Sequence, residues 1–341
     1  MTNDERIAAI TKLGYSDPQA TFLCLAALHG GYFLRRQYDT FLKRESGGIA
    51  ERLIEKAVRK GHVRTHESAS RTVICHVGAK PFFEAIGEKD NRNRRWRQPY
   101  PIQLKLMGFD YVLAHPECHY LATETEKLHY FQTTLGLDPT LFPARLYRSK
   151  RTRSKTTRYF VDKFPIFLSG ARSVPPPVVT FCYIDGSVSK PSGFDTYLLQ
   201  YGDLIAQLPS SRVIYVASDQ RIFAKAARIF SQLLGASPFG FRLALGKGEV
   251  QRLLEHFNTR QLFEQRNTAL FDKHKLDQLR EEFEEFRGRD YEALYREWQV
   301  QGDSAVAGDQ MSCKEPRALF ETYLLPHDYS FFGELARVVA A

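Results

Sequence analysis

The segment IAERLIEKAVRKG, residues 49–61, allows few folds. At about 100° per residue, Ile49, Ala50, Leu53, Ile54, Ala57 and Val58 cover one half of a helical cylinder, while Arg52, Lys56 and Arg59 fall within an arc of about 60° on the other. Such a helix needs an apolar surface beneath it and holds its cations outward. Gly61 ends it. Upstream, Ser16-Asp17-Pro18 is a helix start, and the apolar stretch 21–28 stops at Gly30-Gly31. Residues 34–42 (LRRQYDTFL) set Leu34, Tyr38, Phe41 and Leu42 on one helical face and leave Arg35, Arg36 and Gln37 outside. Downstream, residues 62–65 and 71–77 read as short strands around a polar tip at 66–70. Three helices and a hairpin in this order predict a winged helix-turn-helix within residues 16–78.

Beyond it, residues 82–86, 100–112 and 123–135 are expected to be helical, the last opened by Thr123 and Glu126 at capping-box spacing. Strands at 145–147 and 159–161 should flank the basic loop 148–158 (RSKRTRSKTTR). Pro175-Pro176-Pro177 can continue neither helix nor central strand and marks a boundary. After it, a strand at 178–184, a helix at 194–208, a strand at 213–217 and a helix at 222–234 predict a parallel βαβ unit with right-handed crossover. Residues 239–245 offer a third strand. Leu276, Leu279, Phe283 and Phe286 make a helix seam, and a polar tail at 302–314 precedes a short final helical segment. The expected class is mixed α/β, divided as a helix-turn-helix (1–80), a middle region with basic loops (81–174), a βαβ domain (175–260) and a helical end (261–341).

The 48 Lys and Arg against 39 Asp and Glu give a formal charge of +9, which favours a polyanionic partner without requiring one. Location says more. Cations crowd into 91–97 (NRNRRWR) and 148–158, whereas 280–286 (REEFEEF) is acidic. No run of about 18 apolar residues or signal-peptide pattern occurs, so no membrane span or secretion is expected. Cys24, Cys75, Cys118, Cys182 and Cys313 lie far apart without CxxC spacing, which fits free thiols in a reducing cytoplasm.

A major-groove helix needs one face packed on its own domain, another offering Arg or Lys to guanine edges and phosphates, and a hairpin beside it. Double-stranded DNA is therefore the expected partner, and a homodimer on paired half-sites stays open. Arg52, Lys56, Arg59 and Lys60 would grip the groove. Arg35, Arg36 and Gln37 would hold the flanking backbone, with His66 and Arg71 in the wing and Arg151, Arg153 and Lys155 extending the footprint. The competing reading pairs the cations of 49–61 with Glu51 and Glu55 as an ordinary solvated face.

Asp185 and Asp219 would lie beyond the carboxyl ends of the βαβ strands, where ligands bind in such sheets. A metal-dependent nuclease also needs further oxygen ligands and usually a lysine. RVIYVA (212–217) supplies neither acid nor lysine, and Lys190, the nearest lysine after Asp185, sits in a Pro/Ser/Gly loop. Catalysis is not expected, and Asp185 is read as capping a turn. His115, Cys118 and His119 (HPECH) have metal-ligand residue types but no second cluster, and Gly246 and Gly248 lack a phosphate-loop pattern, so neither metal nor cofactor is expected. Two alternatives stay open: a divergent nuclease centred on Asp185, and an interaction module using the acidic helix 272–287.

The helix-turn-helix followed by YIDGS (183–187), FDTYLLQYGDLIAQLP (194–209) and RVIYVASDQR (212–221) resembles the replication-relaxation family of plasmids and integrative elements, over residues 17–235. The resemblance implies a winged helix joined to a degenerate restriction-endonuclease-like domain. It also implies handling of mobile-element DNA in replication control, mobilisation or transcription of transfer genes. The acid-x-lysine of active endonucleases is missing from the matching strand.

Overall fold

The structure, a computed structural model, describes residues 1–45, 47–68, 71–148, 155–162, 164–169, 177–187, 191, 193–234, 247–265, 271–286, 289–303, 306, 318–327 and 329. The fold is mixed α/β. It comprises two compact units, Met1–Ala226 with Phe320–Ala341, and Ala227–Leu319.

The first unit begins with α1 (Asn3–Lys12) and α2 (Asp17–His29), both opened by capping boxes, Thr2 with Glu5 and Ser16 with Gln19. The apolar triplet β1 (Tyr32–Leu34) follows, then α3 (Arg35–Phe41) and α4 (Ile49–Arg59). The strands β2 (Val63–Glu67) and β3 (Val73–Val77) close an antiparallel sheet in the order β1-β3-β2. Neither α1 nor β1 belongs to the elements read from the sequence. Three apolar residues in a row are too few to show a strand's alternation. Residues of α2, α3 and α4 bury Phe22, Leu23, Tyr38, Leu53 and Ala57 in one core.

After α5 (Lys80–Ala85) comes α6 (Pro99–Ala114), the helix that joins the unit together. Its Phe109 and Val112 pack into the core beneath α2 to α4, while Ile102, Leu106, Met107 and Tyr111 pack with Tyr32, Ile74, Cys182, Ile184 and Val216. A helix apolar on both sides is buried on both sides. Residues of 1–80, 81–174 and 175–226, expected as separate stretches, lie in one compact unit, and the second unit begins at Ala227.

The short β4 (His119–Tyr120), β7 (Ile166–Ser169), β8 (Val178–Asp185), β9 (Ser211–Ala217) and β10 (Leu319–Leu324) form a five-stranded sheet ordered β10-β9-β8-β7-β4. Before β7, α7 (Glu124–Leu128) starts at the Thr123/Glu126 capping box and runs into a π-helical turn at His129–Thr134. The hairpin β5 (Ala144–Arg148) and β6 (Lys155–Tyr159) stands apart as its own two-stranded sheet. Helix α8 (Phe194–Gln207) connects β8 to β9, which run parallel from Val179↔Ser211 to Asp185↔Ala217, as the alternating pattern requires. The third neighbour in this part of the sheet is β10, where the sequence suggested a final helical segment. Residues 239–245, the expected third strand, lie outside the described residues. The second unit, reached through α9 (Phe223–Leu233), holds α10 (Lys247–Glu264), α11 (Lys273–Glu285) and α12 (Arg289–Gln301) around Leu253, Phe257, Phe286, Leu294 and Trp298. Among the described residues no helix is long and apolar enough to cross a membrane. Cys24, Cys75, Cys118 and Cys182 carry free thiols, and Cys313 lies outside the described residues.

Candidate nucleic-acid interface

Helix α4 divides much as its spacing dictates. Ala50, Leu53 and Ala57 are 0% exposed, whereas Arg52, Arg59 and Lys60 lie in solvent. Val58, expected inside, is 42% exposed. The acids of the helix are not simply matched to these cations. Glu51 pairs with Arg35 from α3, and the Arg52 Nε donates to the Gly48 carbonyl at 3.2 Å, which holds its stem along the helix start. Lys56 departs from the expected stripe. Its ammonium donates to Gln19 Oε1 at 3.0 Å and lies 5.4 Å from the centroid of the Tyr15 ring, so it ties α4 to the cap of α2. Burial pushes the Tyr15 phenol up to about 12, and its oxygen lies 2.9 Å from His62 Nδ1.

Helix α3 corrects the reading more strongly. Arg35 is half exposed, but Arg36 grips Asp110 of α6 with two 2.7 Å hydrogen bonds and donates to the Tyr329 hydroxyl at 3.2 Å. Gln37 is fully buried. Its carbonyl accepts from the Leu34 N–H at 2.9 Å and its amide donates to the Leu106 carbonyl at 2.9 Å. Both residues were expected to face outward; α6 covers that side of α3 and turns them into structural polar contacts, as buried polar groups require.

The β2–β3 hairpin supplies a rigid aromatic patch. Arg64 and His66 alternate onto the face that also carries His76 and Ile74. Trp96, 48% exposed, stands on this face with ring centroids 5.4 Å from His66, 5.6 Å from His76 and 5.5 Å from Tyr32. Tyr32 and His76 stack at 4.4 Å, and the burial of His76 lowers its pKa, which favours the neutral ring. Arg64, Arg94 and Trp96 line one open hollow. Of these, Arg64 is not among the residues expected to bind, although the period-two pattern of VRTHE places it beside His66. In the stretch that leads into β3, Arg71 adopts φ +62°, a left-handed conformation that costs a non-glycine residue on the order of 1 kcal/mol.

The basic run 91–97 is fastened rather than loose. Asn93 donates to the Ala27 and Leu28 carbonyls at 2.9 and 3.0 Å, accepts from Lys105 at 2.8 Å, and its carbonyl lies 2.8 Å from His76 Nε2. Gly31 makes this approach possible: at φ +83°, a Cβ there would sit 2.6 Å from the Asn93 carbonyl oxygen. On the other side of the run, the Arg92 guanidinium lies 3.9 Å from the ring centroid of Tyr147 in β5. Lys155 is exposed on β6, and Arg151 and Arg153 lie outside the described residues.

The carboxylates at the sheet have internal partners. Asp185, 0% exposed, accepts the Ser187 N–H at 2.8 Å and the Tyr215 hydroxyl, so it fastens the turn after β8. Asp219 caps the turn at Gln220–Ile222 and pairs with Arg221 at 2.6 Å, which lowers its pKa. His115 is tied to the Tyr111 carbonyl at 2.8 Å, while His119 sits in β4 opposite Leu168. Among the described residues no three His, Cys, Asp or Glu side chains converge as a metal site.

Comparison with protein-family models, with curated proteins and with solved structures finds no match for this chain.

Proposed function

We propose that this chain is a cytoplasmic double-stranded DNA-binding protein, in which residues 16–78 act as a winged helix, α4 enters the major groove and the β2–β3 hairpin is the wing. The observation that carries this reading is the division of α4, with Ala50, Leu53 and Ala57 sealed beneath and Arg52 and Arg59 outward. Arg52 supplies bidentate donors suited to guanine edges, while Arg59 and Lys60 supply charge to the backbone. Beside them, Arg64, His66, Arg71 and Trp96 provide cations and an exposed ring to the adjoining phosphates and sugars.

Within this reading the sheet around β8 and β9 is a scaffold related to a degenerate endonuclease, since Asp185 and Asp219 are engaged by their neighbours. The role is regulatory, in transcription, replication or mobilisation of a mobile element, as the family resemblance implies. Selection of bound duplexes from a random library tests it: an enriched motif is expected, and binding without sequence preference would contradict the reading role of α4.

A further inference from the structure

The β5–β6 hairpin has almost no interior. Ala144, Arg145, Leu146, Arg148, Lys155, Thr156 and Thr157 are all exposed, Leu146 at 55%. A lone two-stranded ribbon is marginal in water, and its register makes matters worse by setting Arg148 opposite Lys155 and Arg145 opposite Arg158. Like charges placed directly across a ladder repel. One pair is relieved, because Glu124 takes Arg158 at 2.7 Å and the Tyr159 N–H at 2.9 Å. Among the described residues no carboxylate relieves the other.

Alternation gives the two faces different duties. Tyr147 and Arg158 share the face held to the protein by Arg92 and Glu124. Ala144, Leu146, Arg148, Lys155, Thr157 and Tyr159 share the other, which carries two cations and no acid. Repulsion retained across an exposed ribbon turns into attraction when a polyanion lies along it.

We infer that this ribbon is a second DNA-contact element, laid in the major groove of the same duplex, with Arg148 and Lys155 on the phosphates and Leu146 toward the base edges. A two-stranded ribbon fits that groove. The Arg92-to-Trp96 run joins the ribbon to the β2–β3 hairpin, because Arg92 covers Tyr147 while Trp96 stands on His66 and His76. The inference rests on the DNA-binding reading and adds a footprint longer than α4 and its hairpin can cover.

The test is R148Q/K155Q in the full-length protein, read by duplex affinity across a salt series and by hydroxyl-radical footprinting on the selected site. The slope of log K against log salt should shrink by about two, each lost phosphate contact contributing roughly 0.9. The footprint should shorten at one end, the selected motif should persist, and thermal stability should hold or rise because a repulsion is removed. An unchanged slope and footprint, alongside weakened binding by Arg52→Ala, would overturn the ribbon's role and leave that of α4 intact. Failure of the unaltered protein to bind any duplex would remove both.

Discussion

Helices α3 and α4 are adjacent, short and similarly basic, yet the fold uses their polar residues in opposite ways. Gln37 of α3 is buried and Arg36 is held to Asp110 of α6, whereas Arg52 and Arg59 of α4 remain in solvent over a sealed apolar side. The difference shows that a basic helix announces a binding surface only when no later element covers it. Residues 99–114, far along the chain, decide which of the two is free.

If that contrast is right, disturbing α3 costs stability and disturbing α4 costs binding. The largest effect is expected for Asp110→Ala, which strands Arg36 and removes an acceptor from Tyr329. Unfolding in urea should show a loss of about 3 kcal/mol, at the low end for a broken buried pair because Arg36 keeps partial exposure. Arg52→Ala should do the reverse, weakening specific duplex binding by about 1–3 kcal/mol with the melting temperature unchanged. A melting shift comparable to that of Asp110→Ala would erase the distinction.

Inward groups should also reveal themselves by pH. Burial lowers His29 to about 4, against about 6.5 in an unfolded chain. The unfolded chain therefore takes up the proton first. The stability that neutral His29 contributes is complete above about 6.5 and is lost progressively as pH falls toward 4. His29→Phe, which keeps a ring against Tyr120, should flatten the unfolding profile across that window. The smallest effect belongs to Arg59→Ala, for which fluorescence titration should show a salt slope shallower by about one and an unchanged base preference.

Much of the first core was legible because caps and spacing are local. Ser16-Asp17-Pro18, the apolar half of α4 and the Thr123/Glu126 box need only neighbouring residues to act. The parallel β8–β9 pairing followed from a strand-helix-strand order. Burial of Gln37 and pairing of Arg36 with Asp110 depend on partners 69 and 74 residues away, and addition of β10 beside β9 joins strands that are farther apart still along the chain, where periodicity carries no signal. Lys56 leaves the outward stripe for a subtler reason: at the edge of the polar arc, its long stem folds back onto Tyr15 and Gln19. The aromatic brace of Trp96 required the fold of β1, which three apolar letters could not announce.

The central claim is that Arg52 is presented to the major-groove edge of a base. Affinities of the unaltered protein and Arg52→Ala should be compared on the selected duplex, with its guanines either normal or replaced by 7-deazaguanine, which lacks the major-groove N7 acceptor. The account predicts a loss of about tenfold or more for the unaltered protein, each good bidentate contact being worth about 1–3 kcal/mol, and indifference in the variant. Equal losses in both proteins would contradict it.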